Sequence, residues 1–134
     1  MAAVFADTFY FIALLDSADP CHARSVAWSR EKLLSFVTTE YVLLELGDAF
    51  HAPGLREEFA AFHDSVRGDS KFRILPATSA LFARGLSIYR RRRDKEWQLT
   101  DCIAFVVMKE QHIREALTGD QHFEQAGFKV LLSI

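Results

Sequence analysis

Ala2-Ala3-Val4-Phe5-Ala6-Asp7-Thr8-Phe9-Tyr10-Phe11 opens the chain and decides how the rest is read. Its first five residues are small or apolar without alternation, the pattern of a strand covered on both faces, as in parallel sheets. Asp7 stands at the carboxyl end of that strand. The apolar residues 8–15 then predict a helix, so the chain begins as strand, acid, helix.

The same alternation continues downstream. Asp19 and Pro20 read as N-cap and first residue of a second helix, with Ala23, Val26, Ala27, Leu33 and Leu34 as its apolar stripe. Residues 35–38 predict a second strand, and Thr39 caps a helix over residues 40–50. On that helix Leu43, Leu46, Gly47 and Phe50 mark a core face, while Tyr41, Glu45 and Asp48 share another stripe. Pro53 and Gly54 break the chain before a helix carrying Leu55, Phe59, Phe62 and Val66 at helical spacing. A third strand is predicted over residues 72–75. Thr78 opens the next helix, which ends in four consecutive arginines at positions 90–93. Thr100 reads as the cap of an apolar helix over residues 101–111. A fourth strand over 115–118, a turn at Gly119 and a last strand over 129–133 complete the pattern.

Strands alternating with helices imply an α/β fold, a three-layer α/β/α sandwich around a mostly parallel sheet. At 134 residues the chain suits one domain, residues 1–134, with no repeat, linker or low-complexity tract. Half of the residues are hydrophobic and twelve are Phe, which argues against disorder. The formal charge of −2 excludes a global basic field, so nucleic acid would have to be met by a local patch. Cys21 and Cys102 form neither a disulfide framework nor a zinc motif, which fits a reducing, cytoplasmic setting. The apolar stretch 9–15 is too short to cross a bilayer and lacks the basic start of a signal peptide.

Four acids, Asp7, Glu45, Asp101 and Asp120, fall at predicted strand ends or on helices facing them. In an open α/β sheet those ends share one rim. Carboxylates that converge there repel one another and take up protons or bind cations. Mg²⁺ or Mn²⁺ suits such an oxygen donor set, with no histidine required. A cation so held can activate water against phosphorus and stabilise the leaving oxygen. Blander explanations stand beside this one. Asp101 can simply complement a helix dipole, and most of the eighteen acidic residues are expected to be solvated.

Four segments together resemble the PIN-domain family, in particular its VapC-type ribonuclease toxins. They are Val4-Phe5-Ala6-Asp7-Thr8-Phe9-Tyr10-Phe11, residues 38–46 around Glu45, Leu99-Thr100-Asp101-Cys102-Ile103-Ala104-Phe105, and residues 116–128 around Thr118-Gly119-Asp120. The resemblance implies a PIN-like fold and a metal-dependent endoribonuclease in which Asp7, Glu45, Asp101 and Asp120 bind Mg²⁺ or Mn²⁺. It also implies a supporting hydroxyl at Thr118, a structured RNA substrate such as tRNA or rRNA, a small antitoxin partner and a homodimer. Glu40 and Asp48 flank Glu45 as alternative acids, although Glu45 fits the pattern best.

Secondary candidates carry two readings each. Arg92 and Arg93 can contact RNA phosphates or an antitoxin, or can be the solvated end of a helix. Thr8 can position Asp7 or cap its helix. His122 can hydrogen-bond near Asp120, with packing beside Phe123 the preferred reading. Two rival functions remain: an RNA- or protein-binding module that does not cut, and a phosphatase with Asp7 as nucleophile. The second lacks the expected acid two residues on, where Phe9 stands.

Overall fold

The computed structural model describes residues 2–133; residues 1 and 134, the two ends of the expected domain, lie outside it. Strands β1 (Ala2–Ala6), β2 (Leu34–Thr39), β3 (Phe72–Leu75), β4 (Glu115–Leu117) and β5 (Lys129–Val130) form one sheet in the order β3-β2-β1-β4-β5. Every neighbouring pair is parallel, so the sheet is wholly rather than mostly parallel. The chain builds outward from β1 to β3, then returns to lay β4 on the other side of β1. That reversal makes the carboxyl ends of β1 and β4 a topological switch point, where such sheets open a crevice.

Seven helices flank the sheet among the described residues: α1 (Thr8–Leu15), α2 (His22–Ser29), α3 (Glu40–Ala49), α4 (Arg56–Arg67), α5 (Ser79–Arg91), α6 (Leu99–Glu110) and α7 (Gln121–Gln125). Val4, Phe5 and Ala6 are fully buried, as expected for a strand covered on both sides. Val4 and Phe36 are register partners, as are Phe36 and Phe72, so these side chains share one face. There Phe36 stacks on Phe72 at 4.8 Å, Tyr10 lies against Phe36, and Phe11 meets Phe62 edge-on at 5.5 Å. Phe5 points to the opposite face, where Phe123 of α7 and Phe105 of α6 meet edge-on at 5.0 Å. The many phenylalanines are thus divided between two aromatic layers, each fully buried ring contributing roughly 1.5–3 kcal/mol.

Local signals account for most element ends. Thr39 and Thr78 cap α3 and α5, accepting from Val42 N and Leu81 N at 3.1 Å each. Differences arise where side chains compete for backbone groups. Asp19 accepts from Cys21 N at 2.8 Å, forming a turn that delays α2 to His22. Gln98, not Thr100, occupies the cap of α6, because Asp101 reaches back to Gln98 N at 3.1 Å. The predicted stripe of α2 ends at Ser29, leaving Leu33 exposed and placing Leu34 in β2. Helix α7 was not predicted; only five residues long, it carries too little periodicity to register.

Candidate metal site at the switch point

Asp7 is the first residue after β1 and the N-cap of α1. The residue is 8% exposed, and its backbone oxygen accepts from Tyr10 N and Phe11 N as the helix begins. One Oδ2 contact is made across the switch point, where Thr118 Oγ1 donates at 2.9 Å. Burial pushes the Asp7 carboxyl up to about 7, the Thr118 hydrogen bond works against that, and the like charges of Asp101 and Glu45 add to it.

Glu45 projects from α3 and is half-buried, its Oε1 accepting from the Thr8 hydroxyl. Thr8 therefore orients Glu45 rather than Asp7 through its side chain. Asp101, in the first turn of α6, is 7% exposed; burial raises its pKa, and the nearby Asp120 charge does so too. Asp120 begins α7, accepting from His122 N at 2.9 Å, while its own N–H donates to Thr118 Oγ1 at 3.1 Å. The four acids thus form one electrostatically linked group: Asp7 feels Glu45 and Asp101, and Asp101 feels Asp120.

His122 joins them. Its Nδ1 lies 3.1 Å from Asp101 Oδ2 and 3.4 Å from Asp120 Oδ1. Packing beside Phe123 is the expected place for its ring; in the structure Phe123 is buried without it and the imidazole turns to the carboxylates. The turn that sets the imidazole there belongs to α7, whose five residues leave no periodic signal in the sequence.

Other sequence candidates lie apart. Glu40 is held by Arg67 at 2.7 Å and by Ala77 N at 2.7 Å, and Asp48 is exposed. Arg92 pairs with Asp94 through Nε at 3.0 Å and sits 4.9 Å from the Trp97 ring centroid, so its charge is partly spent within the protein. Arg93 lines an open groove with Tyr89, Lys95, Trp97 and Gln98, ending at the start of α6. Cys102, beside Asp101, is buried, and burial pushes its thiol up to about 11.

The donor set suits a divalent cation. One oxygen each from Asp101 and Asp120 and a nitrogen of His122 lie within 4.8 Å of one another. Among the described residues no Lys or Arg pairs with Asp7, Glu45, Asp101 or Asp120. Carboxylates gathered here without a Lys or Arg partner, two of them buried, make a metal ion a fitting counter-charge.

Fold and site together define an α/β protein with an acidic crevice at its switch point that could hold a divalent cation. The chain belongs to the PIN-domain family, whose model matches residues 4–129. Its structure is similar to that of VapC20 of Mycobacterium tuberculosis, a Sarcin-Ricin loop cleaving toxin, with a TM-score of 0.81, 24% identity, and 93% of this chain and 95% of that one covered. It also resembles VapBC2 from Rickettsia felis bound to a DNA fragment from their promoter, with a TM-score of 0.68, 11% identity, and 96% and 97% covered. FitAcB from Neisseria gonorrhoeae gives 0.66 at 22% identity, with 96% of each chain covered. No curated protein sequence matches the chain. No helix among the described residues is long and apolar enough to cross a membrane.

Proposed function

We propose that this chain is a Mg²⁺- or Mn²⁺-dependent endoribonuclease and the toxin of a toxin-antitoxin pair. The observation that carries the reading is Asp7, a carboxylate whose burial at the switch point pushes it toward protonation, with the like charges of Asp101 and Glu45 adding to that. Asp7, Glu45, Asp101 and Asp120 would hold the ion, with Thr8 fixing Glu45 and Thr118 fixing Asp7. A bound ion supplies charge neutralisation and a more acidic water. The chain's residues set the geometry: Thr118 ties Asp7 to the Asp120 turn, and the capping contact of Asp101 fixes its rotamer on α6. Water attacks phosphorus in line, the bond from phosphorus to the 3′-oxygen breaks, and the products carry a 5′-phosphate and a 3′-hydroxyl.

The likeness to a toxin that cleaves the Sarcin-Ricin loop supports structured RNA as substrate. Likeness to VapBC2 and FitAcB supports an antitoxin partner. Arg93, with Arg90 and Lys95 nearby, is better placed than Arg92 to meet RNA phosphates or the antitoxin, because Arg92 is already paired with Asp94. A homodimer is part of the proposal; Leu44, 64% exposed on α3, offers unpartnered apolar surface to it. A reducing, cytoplasmic setting suits the two buried thiols.

The test is cleavage of total cellular RNA by purified protein and its Asp7→Asn variant, each with EDTA, Mg²⁺ or Mn²⁺, resolved on a denaturing gel. Discrete fragments that need the metal and vanish in the variant are expected. Metal binding without cleavage of any RNA, including isolated tRNA and rRNA, would replace this reading with that of a non-cutting binding module.

A further inference from the structure

We infer that His122 is a nitrogen ligand of the cation held by Asp101 and Asp120, and that it tilts the site toward Mn²⁺ over Mg²⁺. The inference rests on the metal-site reading above and adds a residue that the four-acid resemblance does not contain. Its basis is geometric. Adjacent donors around an octahedral ion bound at about 2.1 Å sit about 3 Å apart. His122 Nδ1 stands 3.1 Å from Asp101 Oδ2 and 3.4 Å from Asp120 Oδ1, already near the spacing of neighbouring ligands.

The ring is held there by its own chain. His122 N donates to Asp120 Oδ1 at 2.9 Å, and the next residue, Phe123, is fully buried against Phe5 and Phe105. The imidazole is therefore anchored from both sides of its Cα and does not need to be recruited from solvent. Nδ1 is the ring nitrogen that faces the place where the two carboxylates converge, and it is the atom that would bind the ion.

Ligand chemistry then decides between ions. Mg²⁺ is reluctant to exchange oxygen donors, water above all, for anything softer. Mn²⁺ also accepts carboxylate and water, and stands on the series of divalent ions whose affinity for nitrogen donors grows beyond it. An imidazole in the shell therefore costs Mg²⁺ more than Mn²⁺.

The experiment uses the full chain with substoichiometric Mn²⁺ and pulsed electron paramagnetic resonance, alongside calorimetric titration with MnCl₂ and MgCl₂. The wild type is expected to show ¹⁴N modulation of the Mn²⁺ signal. His122→Asn, checked for folding by circular dichroism, is expected to lose that modulation and to weaken Mn²⁺ binding about tenfold or more while changing Mg²⁺ binding far less. Mn²⁺ bound in the wild type without nitrogen coupling, or equal weakening of both ions in the variant, overturns the ligand role and leaves the acidic site standing. If neither ion binds the wild type, or binding ignores Asp101→Asn, the metal site itself is wrong and the ligand assignment falls with it.

Discussion

Thr118 Oγ1 donates to Asp7 Oδ2 at 2.9 Å and accepts from Asp120 N at 3.1 Å, so one buried hydroxyl couples two acids that enter the crevice from different strands. Thr118→Val keeps the shape but removes both contacts, at a cost of roughly 1–3 kcal/mol. It also removes the strongest influence that lowers the Asp7 pKa. Carbon-detected NMR titration of the side-chain carboxyls is expected to place Asp7 above its wild-type value of about 7.

The metal-free protein is expected to lose stability as pH rises. Asp7 titrates near 7 when folded and near 3.8 otherwise, so between those values the native state holds a proton that the unfolded chain releases. Stability from this group is present at mildly acidic pH and disappears as pH passes through 7. Asp101, also raised, acts in the same direction. Urea unfolding in EDTA should show a fall on the order of 3 kcal/mol between pH 5 and pH 8. Saturating divalent cation should reverse the trend.

Asp7→Asn follows from the same sign. The amide removes the buried charge, so the variant should be more stable than wild type at pH 8 in EDTA and nearly equal to it at pH 5. Matched urea curves at the two pH values check this. A variant less stable at both would show that the Asp7 carboxylate is structurally required.

Gly119→Ala should disturb the site through packing alone. A Cβ there would meet Phe9 Cζ at 2.6 Å and Leu132 O at 3.1 Å, one an aromatic ring and the other backbone. The expected loss is roughly 1–3 kcal/mol, with displacement of the Asp120 turn. Thermal unfolding gives the first; amide chemical-shift changes at Asp120 and His122 give the second.

Tyr10→Phe should do the opposite. Tyr10 is fully buried and its hydroxyl has no partner among the described residues. Removing it relieves a desolvated group while the ring keeps its place against Phe36, and a gain of up to about 1 kcal/mol is expected in chemical denaturation.

What reads directly from the residues is local. The unbroken apolar run before Asp7 marks a doubly covered strand, Thr39 and Thr78 mark helix starts, and the succession of strands and helices marks a parallel α/β sheet. Such features depend on backbone preference and on which face a residue shows, both of which are set within a few positions. The acids Asp7, Glu45, Asp101 and Asp120 were visible for the same reason, each tied to the end or face of an element. Helix α7 and the true cap of α6 were less legible, because one has barely more than a turn and the other depends on Asp101 choosing Gln98 N.

The strand order belongs to the whole chain. Nothing in β1 or β4 alone says that they are neighbours, yet that pairing brings Thr118 to Asp7 across a separation of 111 positions. The turning of His122 onto Asp101 likewise needs α6 and α7 packed together through Phe105 and Phe123. Residue pattern determined which carboxylates could reach a rim and which segments would be strands. Tertiary packing decided which rim positions adjoin and what accompanies them, because that choice is made by the collective burial of side chains far apart in sequence and by no local preference.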